Sequence, residues 1–320
     1  MTTTGLPFDD IRALVRGLPT LNGDAASRVH ETMAGLHLGR MEDLAAWFAA
    51  VTGRTPPRVL RPVVALFAAT HTVSRHLGSA DPVREAQARV EEIAAGAAPV
   101  SQLCAANDLG LNVFDLALDL PVGDVTETAA LEERACAATI AFGMEAVAGG
   151  ADLLCLGAAG PAADFSAMAV LSALTGEKAE VWSETAPEKR ALLAKALDLH
   201  CGRLGDPLET LRRLGGREIA ALGGAIVAAR TQKVAVLLDG LAATAAAAVL
   251  HALDREALAH CRLAGAENPV QREIALDMGL PPLLDLGIGG QSGVTSALAA
   301  GILRSAGEIS SGMAQARSSG

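Results

Sequence analysis

The sequence has few aromatic residues and no tyrosine. Phe and Trp together make up 2% of the 320 residues, while hydrophobic residues make up 51%. Alanine, glycine and leucine dominate the apolar fraction. A chain of this length can bury a sizeable core. We therefore predict a core built by close packing of helices rather than by large rings.

The chain also lacks an excess of positive charge. Its formal net charge is −10, and only 19% of its residues are charged. An acidic chain is a poor partner for a nucleic-acid backbone or an anionic membrane, so we predict neither as a partner. An anionic substrate would need a local positive site made of Lys, Arg or helix N-termini.

The sequence also shows no closely paired cysteines, and we expect neither a signal peptide nor a membrane span. None of the five cysteines forms a CxxC pair, and free cysteine in an apolar run behaves as a small hydrophobe. The N-terminus has no basic region followed by an apolar core. No run of about 18 uncharged apolar residues occurs. We predict a cytoplasmic protein with no cofactor and no metal site.

Apolar runs of strand length alternate with helical patterns along the middle of the chain. The predicted strands are 59–69, 111–116, 151–157, 234–238 and 282–286. Asp206-Pro207 with Glu209 predicts a helix start. Further helices are predicted at 81–98, 100–108, 126–148 with Thr126 as cap, 165–175, 187–201, 251–265, 271–280 and 294–308, followed by a loose tail. This order predicts an α/β fold, a doubly wound, mostly parallel sheet with helices on both faces.

The strand-poor ends of the chain predict a smaller helical lobe. Residues 1–58 would supply its N-terminal helices, and residues 291–320 its C-terminal helix and tail. Residues 59–290 would form the α/β core domain. In open α/β sheets, ligands bind at the carboxyl ends of the strands. The turns that follow the predicted strands are therefore the candidate sites.

The stretch from Asp206 to Ala248 carries a family resemblance. It contains Asp206-Pro207-Leu208-Glu209, then Gly215-Gly216-Arg217-Glu218-Ile219-Ala220-Ala221, and later Asp239-Gly240 before an alanine-rich segment. The chain resembles the nicotinate-nucleotide:dimethylbenzimidazole phosphoribosyltransferases of cobalamin biosynthesis, most closely their proteobacterial branch, over nearly its whole length. The resemblance implies nicotinate mononucleotide and a benzimidazole as substrates, and a homodimer.

The residues at the family's chemical positions depart from its pattern. The family has a glutamate, its presumed general base, in a glycine-rich loop that reads LGMRLGEGTGAALA. Here Ser292 occupies that position without gaps, and Gln291 does so after a one-residue slip, within a loop that includes Gly290 and Gly293. Neither side chain is a carboxylate base.

Other family positions are kept in part. The phosphate turn GEMGIGNTT is replaced by Gly157-Ala158-Ala159-Gly160-Pro161, in which Pro161 removes a backbone donor and the nearby Asp164 would repel phosphate. The segment GHVSGEPGH is replaced by residues 264–271, without its two histidines. The resemblance implies substrate-binding roles for a further set of residues: His71, Ser79, Lys189 and Asp239, together with the glycines 157, 160, 290 and 293.

Two hypotheses follow from this pattern. The chain is an active phosphoribosyltransferase with an altered pocket, or it is a catalytically inactive paralog. The paralog would bind a base or nucleotide, or pair with an active partner as a heterodimer. Loss of several preorganised groups, each worth about a hundredfold or more in rate, favours the second hypothesis. A product assay discriminates between them.

Overall fold

The structure is a computed structural model that describes residues 6–318. Residues 1–5 and 319–320, which belong to the predicted N-terminal segment and tail, lie outside the described range. The strands are β1 (Pro62–Ala68), β2 (Gly110–Asp115), β3 (Leu153–Ala159), β4 (Ala235–Asp239) and β5 (Cys261–Gly265). The α-helices are α1 (Pro7–Arg16), α2 (Gly23–Met33), α3 (Arg40–Thr52), α4 (Pro82–Ala94), α5 (Pro99–Asn107), α6 (Glu133–Gly143), α7 (Ala163–Thr175), α8 (Pro187–His200), α9 (Pro207–Leu214), α10 (Arg217–Thr231), α11 (Gly240–Leu253), α12 (Pro269–Asp277) and α13 (Val294–Ser318).

The five strands form one parallel sheet with the order β2-β1-β3-β4-β5. The order reverses between β1 and β3, so the crossovers run to opposite sides of the sheet from that point. In doubly wound sheets of this order, the crevice at the reversal is where ligands bind. The predicted α/β doubly wound fold is confirmed.

Each face of the sheet has its own hydrophobic core. Phe67, Leu156 and Leu238 face a core formed with α7, α10 and α11. Leu66 and Leu237 face the opposite core, formed with α3 and α13. Successive side chains of a strand point to opposite faces, and both faces here are covered, which is why the strands read as unbroken apolar runs.

Four of the predicted strands are confirmed, and so is the predicted start of α9. The runs at 59–69, 111–116, 151–157 and 234–238 contain or overlap β1, β2, β3 and β4. The Asp206 side chain accepts a hydrogen bond from the backbone N–H of Glu209 at 2.9 Å, with Pro207 at the first helical position. Local capping chemistry was sufficient to place α9.

The predicted helix at 251–265 is wrong. Helix α11 ends at Leu253, because Asp254 adopts extended dihedral angles (φ −156°, ψ 120°) and its side chain accepts from the N–H of Glu256. The chain then enters β5, which pairs with β4. Pairing with the sheet overrides the weak helical pattern of this short apolar run.

The predicted strand at 282–286 is also wrong. The segment forms an isolated bridge between Leu284 and Gly265 rather than a strand. Pro281 stands immediately before this segment, and Pro282 is its first residue. Proline has no N–H to donate to a ladder, and this confines the pairing to the residues that follow.

The predicted helix at 126–148 begins later, at Glu133, and Thr126 does not cap it. The N–H and hydroxyl of Thr126 both donate to Asp124 Oδ1, at 2.9 and 2.8 Å. The N–H groups of Ala130 and Leu131 instead donate to the carbonyls of Arg213 and Arg212. These long-range bonds hold residues 124–131 outside the helix.

Helix α13 is longer than predicted. It continues to Ser318, so residues 309–318 are helical and not a loose tail. It packs on the sheet and on α3 and α5, and α2 and α3 pack on each other. The division of the chain at residues 58 and 290 stays a prediction. Within residues 6–318, no helix is both long and apolar enough to cross a membrane.

The thiols should differ in reactivity according to their burial. Cys104, Cys136, Cys155 and Cys261 are buried, whereas Cys201 is exposed. Burial raises the pKa of Cys104 to about 11 and that of Cys136 to about 12, and the thiolate is the reactive form. We expect a thiol reagent at pH 8 to modify one cysteine of the native protein rapidly and the other four only in denaturant. In Cys201→Ser the rapid phase should vanish; its persistence would show that a second thiol is accessible.

Candidate functional site

A cleft lies at the carboxyl ends of β3, β4 and β5, beside the point where the strand order reverses. Its volume is about 580 Å³, within the range of small-molecule sites. The lining of this first cleft includes Glu85, Arg89, Gly160, Pro161, Asp164, Asp239, Gly240, Glu267, Gly290, Gln291 and Ser292. The strand-end position predicted from the sequence is thus where the cleft lies.

A second cleft adjoins the first and has a similar volume, about 570 Å³. It lies between the turn after β1 and the start of α8. Its lining includes Ser74, His76, Ser79, Ala162, Glu188 and Lys189. Glu85, Pro161 and Asp164 line both clefts, so these three residues form a shared wall.

The residues predicted from the sequence divide into three groups. The first cleft contains Gly160, Asp239, Gly290, Gln291 and Ser292. The second contains Ser79 and Lys189. The remaining three, His71, Gly157 and Gly293, are absent from the lining of either cleft. Proximity to the cleft is therefore established for seven of the residues, and their roles stay predictions.

Two of the glycines are needed for close approach of the backbone. Gly160 has φ +120°, and a Cβ there would lie 2.3 Å from the carbonyl oxygen of Ala69. A Cβ on Gly157 would lie 3.1 Å from Leu66 Cδ2 and 3.4 Å from the amide nitrogen of Gly293. Small residues here let the turn after β3 meet the end of β1, and let the loop at 287–293 rest on β3.

Asp239 joins the end of β4 to the start of α13. The side chain is 4% exposed, and its Oδ2 accepts from the N–H of Ser296 at 2.7 Å. Burial raises the pKa of Asp239 to about 6, although hydrogen bonds from Ser296, Gly293 and Thr295 act in the opposite direction. The carboxylate thus caps the helix that follows the glycine-rich loop.

Glu267 is the cleft residue that the sequence prediction missed. It stands two residues beyond β5 and lines the first cleft together with Gln291 and Ser292. Burial, assisted by the charges of Asp239 and Asp164, raises its pKa to about 7. The cleft therefore contains a carboxylate beside Gln291 and Ser292, the two residues predicted to replace the family's glutamate. Assigning 261–265 to a strand would have revealed Glu267 as a strand-end residue.

His71 is fully buried beneath the turn after β1. Its Nε2 lies 2.9 Å from Glu218 Oε1, and its Nδ1 lies 3.0 Å from the Ser166 hydroxyl. All three side chains are 0% exposed. Both ring nitrogens are thus engaged with protein groups that link β1 to α7 and α10. Direct contact between His71 and a ligand stays a prediction.

Lys189 is paired with a carboxylate of the shared wall. Its ammonium donates to Asp164 Oδ2, and Asp164 Oδ1 accepts from the N–H of Phe165 at 2.8 Å. Arg89, in the first cleft, pairs with Glu92 at 2.6 Å. Both cations of the described lining of the two clefts are therefore paired internally. Any anionic ligand competes with these carboxylates.

One cluster of side chains could hold a metal ion. Its ligand atoms, from His76, Asp124 and Glu127, all lie within 4.8 Å of one another. The imidazole Nε2 and Asp124 Oδ2 are already joined by a 2.8 Å hydrogen bond. Burial tends to raise the pKa of Asp124, but hydrogen bonds from Thr126 and His76 outweigh it and lower the pKa. The cluster thus serves at least to anchor residues 124–126 against the turn after β1.

Comparison with known proteins identifies the family. A model of the phosphoribosyltransferase family matches residues 20–320. The nicotinate-nucleotide–dimethylbenzimidazole phosphoribosyltransferase of Brucella anthropi is 48% identical over 328 aligned positions, which cover 98% of this chain and 97% of that protein. The enzyme of the same name from Rhizobium etli is 49% identical over 329 positions.

The fold agrees with this assignment. The crystal structure of the nicotinate-nucleotide–dimethylbenzimidazole phosphoribosyltransferase of Thermus thermophilus matches with a TM-score of 0.82 at 26% identity. The match covers 91% of this chain and 96% of that one. The α/β fold of this chain is thus shared with a solved phosphoribosyltransferase. The chain belongs to the nicotinate-nucleotide–dimethylbenzimidazole phosphoribosyltransferase family.

Proposed function

We propose that the protein transfers the phosphoribosyl group of nicotinate mononucleotide to 5,6-dimethylbenzimidazole, releasing nicotinate. The observation that carries the proposal is the 48% identity with an enzyme of this name along almost the full length of both chains. The same proposal locates the reaction in the cleft at the strand-order reversal, because ligands of such sheets bind there. As parts of the same proposal, the protein acts in cobalamin biosynthesis, in the cytoplasm and as a homodimer.

The charges around the first cleft suit the donor of this reaction. Its pyridinium leaving group is a cation, and positive charge grows on the ribose as the glycosidic bond breaks. Four carboxylates line the cleft: Glu85, Asp164, Asp239 and Glu267. Preorganised negative charge stabilises the developing ribosyl cation. Departure of a cationic pyridinium needs no acid, because the bond electrons neutralise the ring.

The phosphate of the donor needs a cation. Lys189, on the second cleft, is bound to Asp164 of the shared wall. We propose that the incoming phosphate replaces Asp164 as the partner of Lys189. This exchange would leave Asp164 free to face the ribose from the shared wall.

The test is a product assay combined with calorimetry on the purified protein. We expect nicotinate mononucleotide and dimethylbenzimidazole together to give equimolar nicotinate and an α-ribotide, with no product when either is omitted. Nicotinate riboside, which lacks the phosphate, should bind more weakly than the mononucleotide. Absence of product from folded protein would refute the proposal and support the inactive paralog, with calorimetry showing what such a paralog binds.

A further inference from the structure

The Glu267 carboxylate is built into the first cleft by three surrounding segments. It accepts a hydrogen bond from the N–H of Gly290, in the glycine-rich loop. A Cβ at Gly240, after β4, would lie only 3.0 Å from Glu267 Oε1. Glycine at 240 therefore leaves room for this carboxylate. The loop, the β4 end and the β5 end converge on one acidic group.

The backbone beneath Glu267 is also fixed. The Glu267 N–H donates to Gln271 Oε1 at 2.6 Å, and Gln271 Nε2 donates to Thr244 Oγ1 at 2.8 Å. Gln271 is 0% exposed and Thr244 is 1% exposed. These bonds tie the end of β5 to α11 and α12. When buried neighbouring side chains hold a reactive group in place, that group is already positioned for the reaction and need not move during it.

The charged groups that face Glu267 come from several elements. Asp239 at the end of β4 and Asp164 on α7 raise its pKa, whereas Lys189 on α8 lowers it. Glu85 and Arg89 of α4 line the same cleft. Burial has the largest effect, and together these influences raise the pKa of Glu267 to about 7. A base with a pKa near the working pH combines available ionised form with a strong affinity for the proton.

We propose that Glu267 is the general base that removes the ring N–H proton of the benzimidazole as its other ring nitrogen bonds to C1′ of the phosphoribose. The proposal rests on the proposed function. In this step the bond from C1′ to the pyridinium nitrogen breaks, and its electron pair stays on nicotinate. The lone pair of the attacking nitrogen forms the new bond. The proton passes from the second ring nitrogen to a Glu267 oxygen.

Three other polar residues of the cleft are less suited to this role. Asp239 is committed to the N–H groups at the start of α13. Gln291 and Ser292, on the glycine-rich loop, have no basic oxygen at neutral pH. The resemblance places the base on that loop. The structure assigns it to a residue after β5 whose carboxylate contacts this loop.

The test compares Glu267→Gln with Glu273→Gln. Both changes remove one carboxylate and keep the shape, but Glu273 is exposed on α12 and lies outside the first cleft. We expect Glu267→Gln to lose about 100- to 10,000-fold in kcat, and Glu273→Gln to stay within about twofold of the wild type. Wild-type kcat should rise with pH around an apparent pKa of about 7, a step that Glu267→Gln should lack.

A benzimidazole with a more acidic N–H supplies a readout that a merely structural role would not move. 5,6-Dichlorobenzimidazole loses its proton more easily than the dimethyl compound, so it depends less on a base. We expect the loss in Glu267→Gln to be at least tenfold smaller with the dichloro substrate. Equal losses with both substrates would overturn the assignment.

Thermal unfolding provides a readout without turnover. A carboxyl whose pKa is raised in the folded protein adds stability below its unfolded pKa and loses that contribution as pH rises through about 7. The Tm of Glu267→Gln relative to the wild type should therefore increase from pH 5 to pH 8, and that of Glu273→Gln should not. A Tm difference that is the same at pH 5 and pH 8 would show that folding does not raise the pKa of Glu267.

The outcomes separate the two proposals. A wild type that makes no product overturns the proposed function, and the base assignment with it. An active wild type whose Glu267→Gln variant keeps full kcat overturns the base assignment alone. Strong loss of kcat, loss of the pH step and partial recovery with the dichloro substrate support both proposals.

Discussion

Gly224→Ala lowers the free energy of unfolding by about 3 kcal/mol. This is the expected result of placing a methyl group where α6 and α10 touch. A Cβ on Gly224 would lie 1.8 Å from the carbonyl oxygen of Ile140, and one on Gly143 would lie 1.9 Å from that of Ala221. Both obstacles are backbone atoms, so side-chain rotation gives no relief and the two helices must separate.

Gly223 supplies the matched control in the same helix. It precedes Gly224 in α10, but a Cβ there would meet nothing within 4 Å. Gly223→Ala should raise stability by up to about 1 kcal/mol, because alanine favours the helix over glycine. Urea unfolding followed by circular dichroism measures both variants. Equal stabilities would show that the two helices do not cross at Gly224.

His71→Ala should lower stability by about 3–5 kcal/mol, because it leaves a buried carboxylate without its partner. Glu218 is 0% exposed, and its second oxygen, Oε2, already lacks a hydrogen-bond partner. Removing the imidazole would leave Oε1 without one as well. Denaturant titration of the variant gives the loss directly.

The double variant separates loss of the pair from loss of packing. Neutralising the carboxylate in His71→Ala/Glu218→Gln should recover part of the loss, about 2 kcal/mol. Arg58→Ala provides a surface comparison, since the Arg58–Glu308 pair is about half exposed on both sides, and it should cost no more than about 1 kcal/mol. A double variant less stable than His71→Ala would mean that the buried charge is not the cause.

Sequence patterns predicted the elements whose cause is local. Asp206 and Glu209, which form the capping hydrogen bond of α9, are three positions apart in the sequence. The strands β1, β3 and β4 are recognisable as apolar runs because both faces of the sheet are covered. The sequence pattern did not predict the strand at 261–265. Five residues are too few to separate a strand from a helix by periodicity, and only pairing with β4 decides between them.

That misassignment explains why Glu267 was missed. With 261–265 taken as helix, Glu267 was not a strand-end residue and received no role. Asp239, the last residue of β4, was predicted to bind substrate; it lines the first cleft, and its role stays a prediction. Its bond to the N–H of Ser296 joins residues 57 positions apart, and no local pattern contains that information.

The position of α13 in the chain bears on how the protein is made. All five strands have been synthesised by residue 265, yet one core still lacks Ala297, Ala300 and Leu303. On the ribosome, the sheet face carrying Leu66 and Leu237 should stay only partly covered until residues 294–318 emerge. Exposed apolar surface at that stage attracts chaperones and other nascent chains. Asp239 likewise lacks its N–H donors until residues 293–296 have been made, so the cleft cannot take its final shape before then.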